Sequence, residues 1–283
     1  MSEIDWDTSE SAESYDQNCN HQFQKGQTLI EMMKIKSGDS VLDIGCGTGW
    51  QAVNVSEIIG PSGKLTCIDP SSYRIELSRK KFSVDSLNSV RFIVGQAEDL
   101  SAIPDNSINH AYFCSSFHWI DNKKTALNET YRVLQPGGSV GMTTLDRDSP
   151  DMMRTLVDPV LAKYNITRSY ELHRGITRVN VLELQNLLSE TGFTSISIEP
   201  RTIPRQHRSP EEFLKHLEEK DSLKSLLIGI PYEIKKKIKQ EIYEELAKIK
   251  TPAFDEFGIV TLFAIATKPT GNANRIYTFD KSL

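Results

Sequence analysis

Three glycines, two carboxylates and a histidine carry most of the chemical possibilities of this chain. Gly45, Gly47 and Gly49 lie in the run Val41-Leu42-Asp43-Ile44-Gly45-Cys46-Gly47-Thr48-Gly49, an apolar stretch that empties into a glycine-rich turn. Glycines there let the backbone approach a ligand closely and adopt positive φ. A helix that starts just after the turn offers free N–H groups and a positive dipole end, which suit a carboxylate or phosphate. The spacing is G-x-G-x-G, not the G-x-G-x-x-G of dinucleotide sites. Asp69 ends a second apolar run, 20 residues past Gly49. A carboxylate at that place accepts from both hydroxyls of a ribose and repels a 2′-phosphate. The spacing therefore disfavours a nucleotide-dependent dehydrogenase.

His118 is the sharp candidate outside the glycine turn. It either orients a substrate or acts as a base, or it packs beside Trp119 and shapes a wall. Trp119, Trp50 and Tyr15 offer aromatic faces against which a cation can rest. His21, His110, His173, His207 and His216 show no metal-ligand spacing. Cys19, Cys46, Cys67 and Cys114 form no C-x-x-C pair, so neither a zinc knuckle nor a disulfide framework is expected. Cys46 reads as a small residue in a tight loop rather than a nucleophile.

The elements that would position these residues alternate. Strands are expected at Asp39–Ile44, Lys64–Asp69, Val90–Val94, Ile108–Ser115, Ser139–Leu145, Thr194–Ile198 and Gly258–Thr267. Helical stripes fall between them, over Ala52–Ile59, over 71–83, from an N-cap at Asp121 to a stop at Pro136-Gly137-Gly138, and over Val181–Leu188. Such alternation implies β-α-β units, and the expected fold class is α/β: a doubly wound three-layer sandwich on a seven-stranded, mostly parallel sheet with an antiparallel last strand. Residues 25–198 and 256–268 would form this domain. Residues 199–255 would be a helical cap insertion, with one helix starting at Ser209-Pro210-Glu211-Glu212 and another at Pro231. Residues 147–178 lack strong periodicity and would add to the cap. The lysine-rich run at 235–239 reads as a solvated helix face. Residues 1–24 form an acidic tail in which Trp6, Tyr15 and Phe23 would make a lid, disordered to about residue 10 and then a short docked helix. Residues 269–283 are a C-terminal tail.

Composition narrows the class. Among 283 residues, 33 Lys+Arg and 38 Asp+Glu give a net charge of −5, which does not favour binding nucleic acid through net charge. No apolar run reaches the ~18 residues of a membrane helix, and no secretory start is visible, so the expectation is a cytoplasmic protein with reduced thiols.

Taken together, five segments resemble the class I S-adenosylmethionine-dependent methyltransferases. Asp43–Gly49 looks like their first motif, and Asp69 like the acidic end of strand two. Gly95-Gln96-Ala97-Glu98-Asp99-Leu100 looks like the adenine segment, Ser115-Ser116-Phe117-His118-Trp119 like the end of strand four, and Leu134-Gln135-Pro136-Gly137-Gly138 like the loop before strand five. Among subgroups the chain is most similar to small-molecule enzymes of the ubiquinone/menaquinone and trans-aconitate kinds. The resemblance implies S-adenosyl-L-methionine as cofactor. Gly45, Cys46, Gly47 and Gly49 would line its methionine portion and Asp43 would orient its ammonium. Asp69 would bind the ribose, Pro70, Gln96, Ala97 and Glu98 would surround the adenine, and Ser115 would join the site. Tyr15 would close over it. Gln96 stands where the family usually has Asp, so the adenine contact would lean on the Ala97 N–H.

The expected activity is methyl transfer to a small-molecule acceptor, by in-line displacement. A carboxylate acceptor would pair with one of Arg147, Arg168, Arg174 or Arg178. The alternatives are an RNA or protein methyltransferase and a non-catalytic cofactor-binding module in a complex. The N-P-P-[YF] motif of amino-group adenine enzymes is absent, with Cys114-Ser115-Ser116-Phe117-His118-Trp119 in its place.

Overall fold

A computed structural model describes residues 7–149, 153–166, 176–203, 209–219, 223, 226–249 and 259–271. Two helices, α1 (Ser9–Asn18) and α2 (Asn20–Met33), precede the sheet. Then follow β1 (Ser40–Ile44), α3 (Trp50–Ile59), β2 (Lys64–Asp69), α4 (Ser72–Lys80), β3 (Val90–Val94), β4 (Ile108–Cys114), α5 (Lys123–Val133) and β5 (Leu134–Leu145). The chain continues through α6 (Asp158–Lys163), α7 (Val181–Thr191), β6 (Thr194–Ile203), α8 (Pro210–Glu219), α9 (Tyr232–Ala247) and β7 (Ile259–Thr267).

The seven strands form one sheet in the order β3-β2-β1-β4-β5-β7-β6. Only β7 runs antiparallel to its neighbours, so the α/β, mostly parallel expectation holds. Strand order reverses between β1 and β4, and a crevice opens there at the carboxyl ends of the strands. Both faces of the sheet are covered, which is why β1 and β2 read as near-continuous apolar runs. Leu42, Ile44 and Phe113 pack on one side against Leu127 of α5 and Leu184 of α7. Val41, Cys67 and Tyr112 pack on the other against Leu29 of α2 and Val55 of α3. A third cluster joins Val157 and Leu161 to Phe213, Ile238, Ile242 and Leu246, so residues before β6 and the helices after it share one small core.

Several boundaries differ from expectation, each for a local reason. Asn122, not Asp121, caps α5, and its side chain accepts from Thr125 N–H. The Pro136-Gly137-Gly138 run does not separate α5 from β5; it lies inside β5. A register shift between Ile108 and His110 absorbs it, and a Cβ on Gly138 would lie 2.8 Å from the Asn109 carbonyl oxygen. Strand β6 continues to Ile203, so position 199 is inside a strand rather than at the start of an insertion. Helix α2 spans the 24/25 boundary, and α1 begins at Ser9. Asn180 and Glu183 cap α7 reciprocally, a pair worth about 1 kcal/mol. Among the described residues no helix is long and apolar enough to cross a membrane.

Candidate active site: a crevice at the exit of the first strand

The glycine turn is knitted to the end of β2. Gly45 and Cys46 N–H both donate to Ile68 O, at 2.8 and 3.1 Å. Asp69 then accepts from Gly47 N–H at 2.8 Å and from Ser71 N–H at 3.0 Å. From the other side, Ser116 Oγ donates to Ile44 O at 2.6 Å. Gly45 has φ +75°, and a Cβ there would sit 2.4 Å from Ser116 Cβ, so only glycine fits between the two strand ends.

Asp43 lies beneath this turn and is 1% exposed. Tyr112, its register partner on β4, donates its hydroxyl to Oδ2 at 2.6 Å, while Oδ1 has no partner. Burial lifts the carboxyl to about 7, the Tyr112 hydrogen bond opposes the rise, and Asp69 adds to it. Thr48 Oγ1, both amide atoms of Gln51 and Gln22 Oε1 are likewise buried with no hydrogen-bond partner. All four side chains line one cleft with Tyr15, Phe23, Cys46 and Gly49. An unsatisfied buried polar group costs ~1–3 kcal/mol, so such a gathering is the mark of a polar ligand site. Its donor and acceptor set suits an amino-acid head: an acid for an ammonium, and amide, hydroxyl and helix N–H groups for a carboxylate.

Helix α1 closes the cleft. Tyr15 Cε1 lies 3.5 Å from where a Cβ of Gly47 would be, and the Arg74 guanidinium rests 5.1 Å from the centre of the Tyr15 ring. Asp16 accepts from Trp50 Nε1 at 2.8 Å and pairs with Lys81 at 2.7 Å, and Asp7 accepts from Ser71 Oγ. Together these contacts leave only about 30 Å³ of open room in the cleft.

His118 occupies a short 3-10 turn, Phe117–Trp119, just past β4. It is buried, its Nδ1 has no hydrogen-bond partner, and its carbonyl accepts from Thr177 N–H at 2.8 Å. Burial first, then Lys25, Arg178 and Lys123, push its pKa down to about 3. A histidine so held is neutral at pH 7 and a weak base.

Comparison with known proteins finds methyltransferases in both sequence and fold. The methyltransferase-domain family profile matches residues 42–142. Demethylmenaquinone methyltransferase of Listeria monocytogenes is 32% identical over 123 residues, covering 44% of this chain and 51% of the relative. The chain thus spans about half the length of the Listeria relatives it matches. The Geobacillus kaustophilus protein of the same name is 26% identical over 190 residues, covering 62% of this chain and 80% of its own. Solved structures share the fold at low identity. YcgJ of Bacillus subtilis superposes with TM-score 0.60 at 18% identity, covering 89% of this chain and 100% of its own. Phosphoethanolamine N-methyltransferase 2 of Haemonchus contortus, solved with S-adenosyl-L-methionine, superposes with TM-score 0.61 at 18% identity, covering 94% and 59%. Residues 42–142 thus match a methyltransferase domain in sequence, and the fold around them is one that solved methyltransferases share.

Asp43, Gly45, Cys46, Gly47, Gly49, Asp69 and Tyr15 come together around the crevice. Pro70 is exposed at the end of β2. Gln96, Ala97 and Glu98 follow β3, the neighbour of β2 on the side away from β1. Gln96 is exposed, Ala97 is packed into the core, and Glu98 accepts from Asn122 N–H at 3.2 Å. Ser115 bends the chain at φ +55° and donates its N–H to Thr143 Oγ1, turning His118 back over the strand end. Arg147 is engaged at the surface with Glu183 and Asp148; Arg168 and Arg174, like Trp6, His173 and His207, lie outside the described residues. Arg178 acts on His118. Cys46 is pushed well above the usual thiol range by its contact with Cys67 and by burial, consistent with a packing role. No group of three or more His, Cys, Asp or Glu suited to a metal occurs among the described residues.

Sequence reasoning missed Gln22, Thr48, Gln51, Tyr112 and Ser116. Thr48 stands inside the glycine turn and Gln51 two residues past it, so both had a positional signal. Tyr112, Ser116 and Gln22 reach the crevice only through strand order and helix packing.

Proposed function

We propose that this protein transfers the methyl group of S-adenosylmethionine to a small-molecule acceptor by in-line displacement. The observation that carries the reading is Asp43, a buried carboxyl with one free oxygen amid unpaired Thr48, Gln51 and Gln22, at the switch point of the sheet. S-adenosylmethionine supplies a methyl group already activated by the sulfonium charge, so the protein's work is to bind, align and exclude water. Such alignment is worth ~7–11 kcal/mol of barrier.

In this reading Asp43 holds the ammonium group, and Gly45, Cys46, Gly47 and Gly49 line the methionine portion. Asp69 keeps its backbone donors and accepts from the ribose hydroxyls as well, since a carboxylate has about four acceptor positions. Pro70, Gln96, Ala97 and Glu98 border the adenine, and Ser115 shapes the floor below the methyl group. Tyr15 swings with α1 to admit and cover the ligand. The unit formed by α6, α8 and α9 serves as a cap on the acceptor side. The acceptor is read as a carboxylate oxygen, which needs no base, in keeping with a His118 that burial holds neutral. Tritiated methyl transfer into a small-molecule extract, run against RNA, DNA and protein pools, tests the reading. Label in the small-molecule pool is the expected result, and label confined to a macromolecular pool refutes it.

A further inference from the structure

Helix α5 holds, at both of its ends, the segment that leaves β3. That segment starts beside Asp69: Val94 is the register partner of Asp69, and Gly95 N–H donates to Asp69 O at 3.0 Å. It then crosses to β4 without entering a strand or helix. Ala97, Leu100 and Ile103 are buried in the core on the way, while Gln96 stays exposed. A backbone that dips into a core outside any ladder must find its hydrogen-bond partners elsewhere. Helix α5 supplies them. At its N-terminus Asn122 donates its N–H to Glu98 Oε1 at 3.2 Å. On its last turn Glu129 accepts from Leu100 N–H at 3.0 Å, and Arg132 donates to Leu100 O at 2.8 Å and to Ile103 O at 3.0 Å.

Arg132 is fully spent in this task. Its Nε and one Nη2 N–H grip the Glu129 carboxylate at 2.9 and 2.7 Å. The other Nη2 N–H takes Leu100 O, and Nη1 divides between Ile103 O and Asp105 Oδ1, the latter at 2.6 Å. A guanidinium has five N–H groups, and each has its acceptor here. A lysine ammonium has three donors and no plane, so it cannot span the same set. The Arg132 and Glu129 side chains are 29% and 23% exposed, and an ion pair so placed contributes little to stability by its charge alone. What the pair does is geometric: it fixes Leu100 at both its N–H and its C=O.

We infer that Arg132 and Glu129 are positioning residues for the adenine of the cofactor, acting through the segment that follows β3. The inference rests on the transferase reading above, in which Gln96, Ala97 and Glu98 border that base. The segment leaves β3 next to Asp69, the carboxylate given to the ribose. Of its own carboxylates, Glu98 faces Asn122 N–H and Asp99 faces Ser101 N–H. Backbone groups and the Gln96 amide are left to read the base, and their placement is the placement of the segment.

Calorimetry tests this by comparing S-adenosylhomocysteine with S-inosylhomocysteine, which carries a carbonyl where adenine carries its amino group. The wild-type protein should prefer the adenosyl compound by about tenfold or more. Arg132→Lys and Arg132→Gln should weaken the adenosyl compound about tenfold and bring the two affinities close to equal. Affinity for the inosyl compound should change less than about twofold, which also shows that the variants fold. Glu129→Gln keeps an acceptor for Leu100 N–H and should fall between. A purely structural role would weaken both compounds together and leave their ratio at the wild-type value. That result overturns the inference, as does a wild-type protein that binds the two compounds equally. Should the arginine variants bind neither compound, the ratio in Glu129→Gln decides by the same rule. A wild-type protein that binds neither overturns the transferase reading, and the inference with it.

Discussion

The raised carboxyl of Asp43 makes cofactor affinity a function of pH, with a size that can be worked out. In the free protein Asp43 sits near 7 instead of its ordinary 3.8. Its contribution to the free protein's stability is therefore fully present below 3.8 and is lost as pH rises through about 7. A bound ammonium reverses the balance, because it favours the ionised form that burial penalises. Only the ionised fraction then binds well: ~0.9 at pH 8 and ~0.03 at pH 5.5 for a group titrating near 7. Affinity should fall ~30-fold across that range, or ~2 kcal/mol. Asp69 is also raised by burial and adds in the same direction, so Asp43→Asn is the control that isolates the effect. Titration calorimetry with S-adenosylhomocysteine from pH 5.5 to 8, in two buffers of different ionisation enthalpy, should show proton release near pH 6. Asp43→Asn should bind weakly and with a flatter profile. Tyr112→Phe removes the hydrogen bond that lowers the Asp43 pKa, so its transition should move to higher pH. A wild-type affinity that stays level across this range, with no proton release, would refute the ammonium assignment.

Asp69→Ala removes the acceptor for two backbone N–H groups and the ribose partner together. At ~1.5–3 kcal/mol for hydrogen bonds to a charged group, calorimetry should find S-adenosylhomocysteine binding weakened ~10²-fold, and equal affinity would remove the ribose assignment. Gly45→Ala places a Cβ against Ser116 at positive φ, and thermal unfolding should record a loss of ~1–3 kcal/mol. An unchanged midpoint would mean the two strand ends separate freely. Asp16→Ala cuts α1 from both Trp50 and Lys81. Hydrogen exchange over residues 9–18 should quicken, and cofactor dissociation should speed up a few-fold; identical exchange would show that α1 is held by its apolar contacts alone. The pH profile of kcat should carry no His118 limb near 6.5, because that ring titrates near 3. A limb there that His118→Ala abolishes would restore the base role.

The sequence by itself determined the sheet and the ligand-facing turn. Strand β2 begins after Gly63 and ends at Asp69 before Pro70, because burial on both faces leaves no other pattern for a central parallel strand. The glycine turn and Asp69 were legible for the same local reason: positive φ and a strand-end carboxylate are written in residue type. Elements set by longer-range pairing were misjudged. Leu134–Gly138 resembles a helix stop, yet it joins β5 because β4 and the chain after β7 offer it hydrogen bonds on both sides. Strand β6 runs past Ile198 because β7 pairs with it as far as Ile203. The electrostatics lay further out of reach. Nothing local to Asp43 announces a pKa near 7, which follows from its burial beneath the turn against the opposing hydrogen bond of Tyr112, 69 residues away in sequence. Likewise, only packing decides that Lys25, from a helix before the sheet, and Arg178, from the entry to α7, act on the same histidine. Periodicity is a property of neighbours along the chain, whereas charge, burial and unsatisfied hydrogen bonds are properties of neighbours in space.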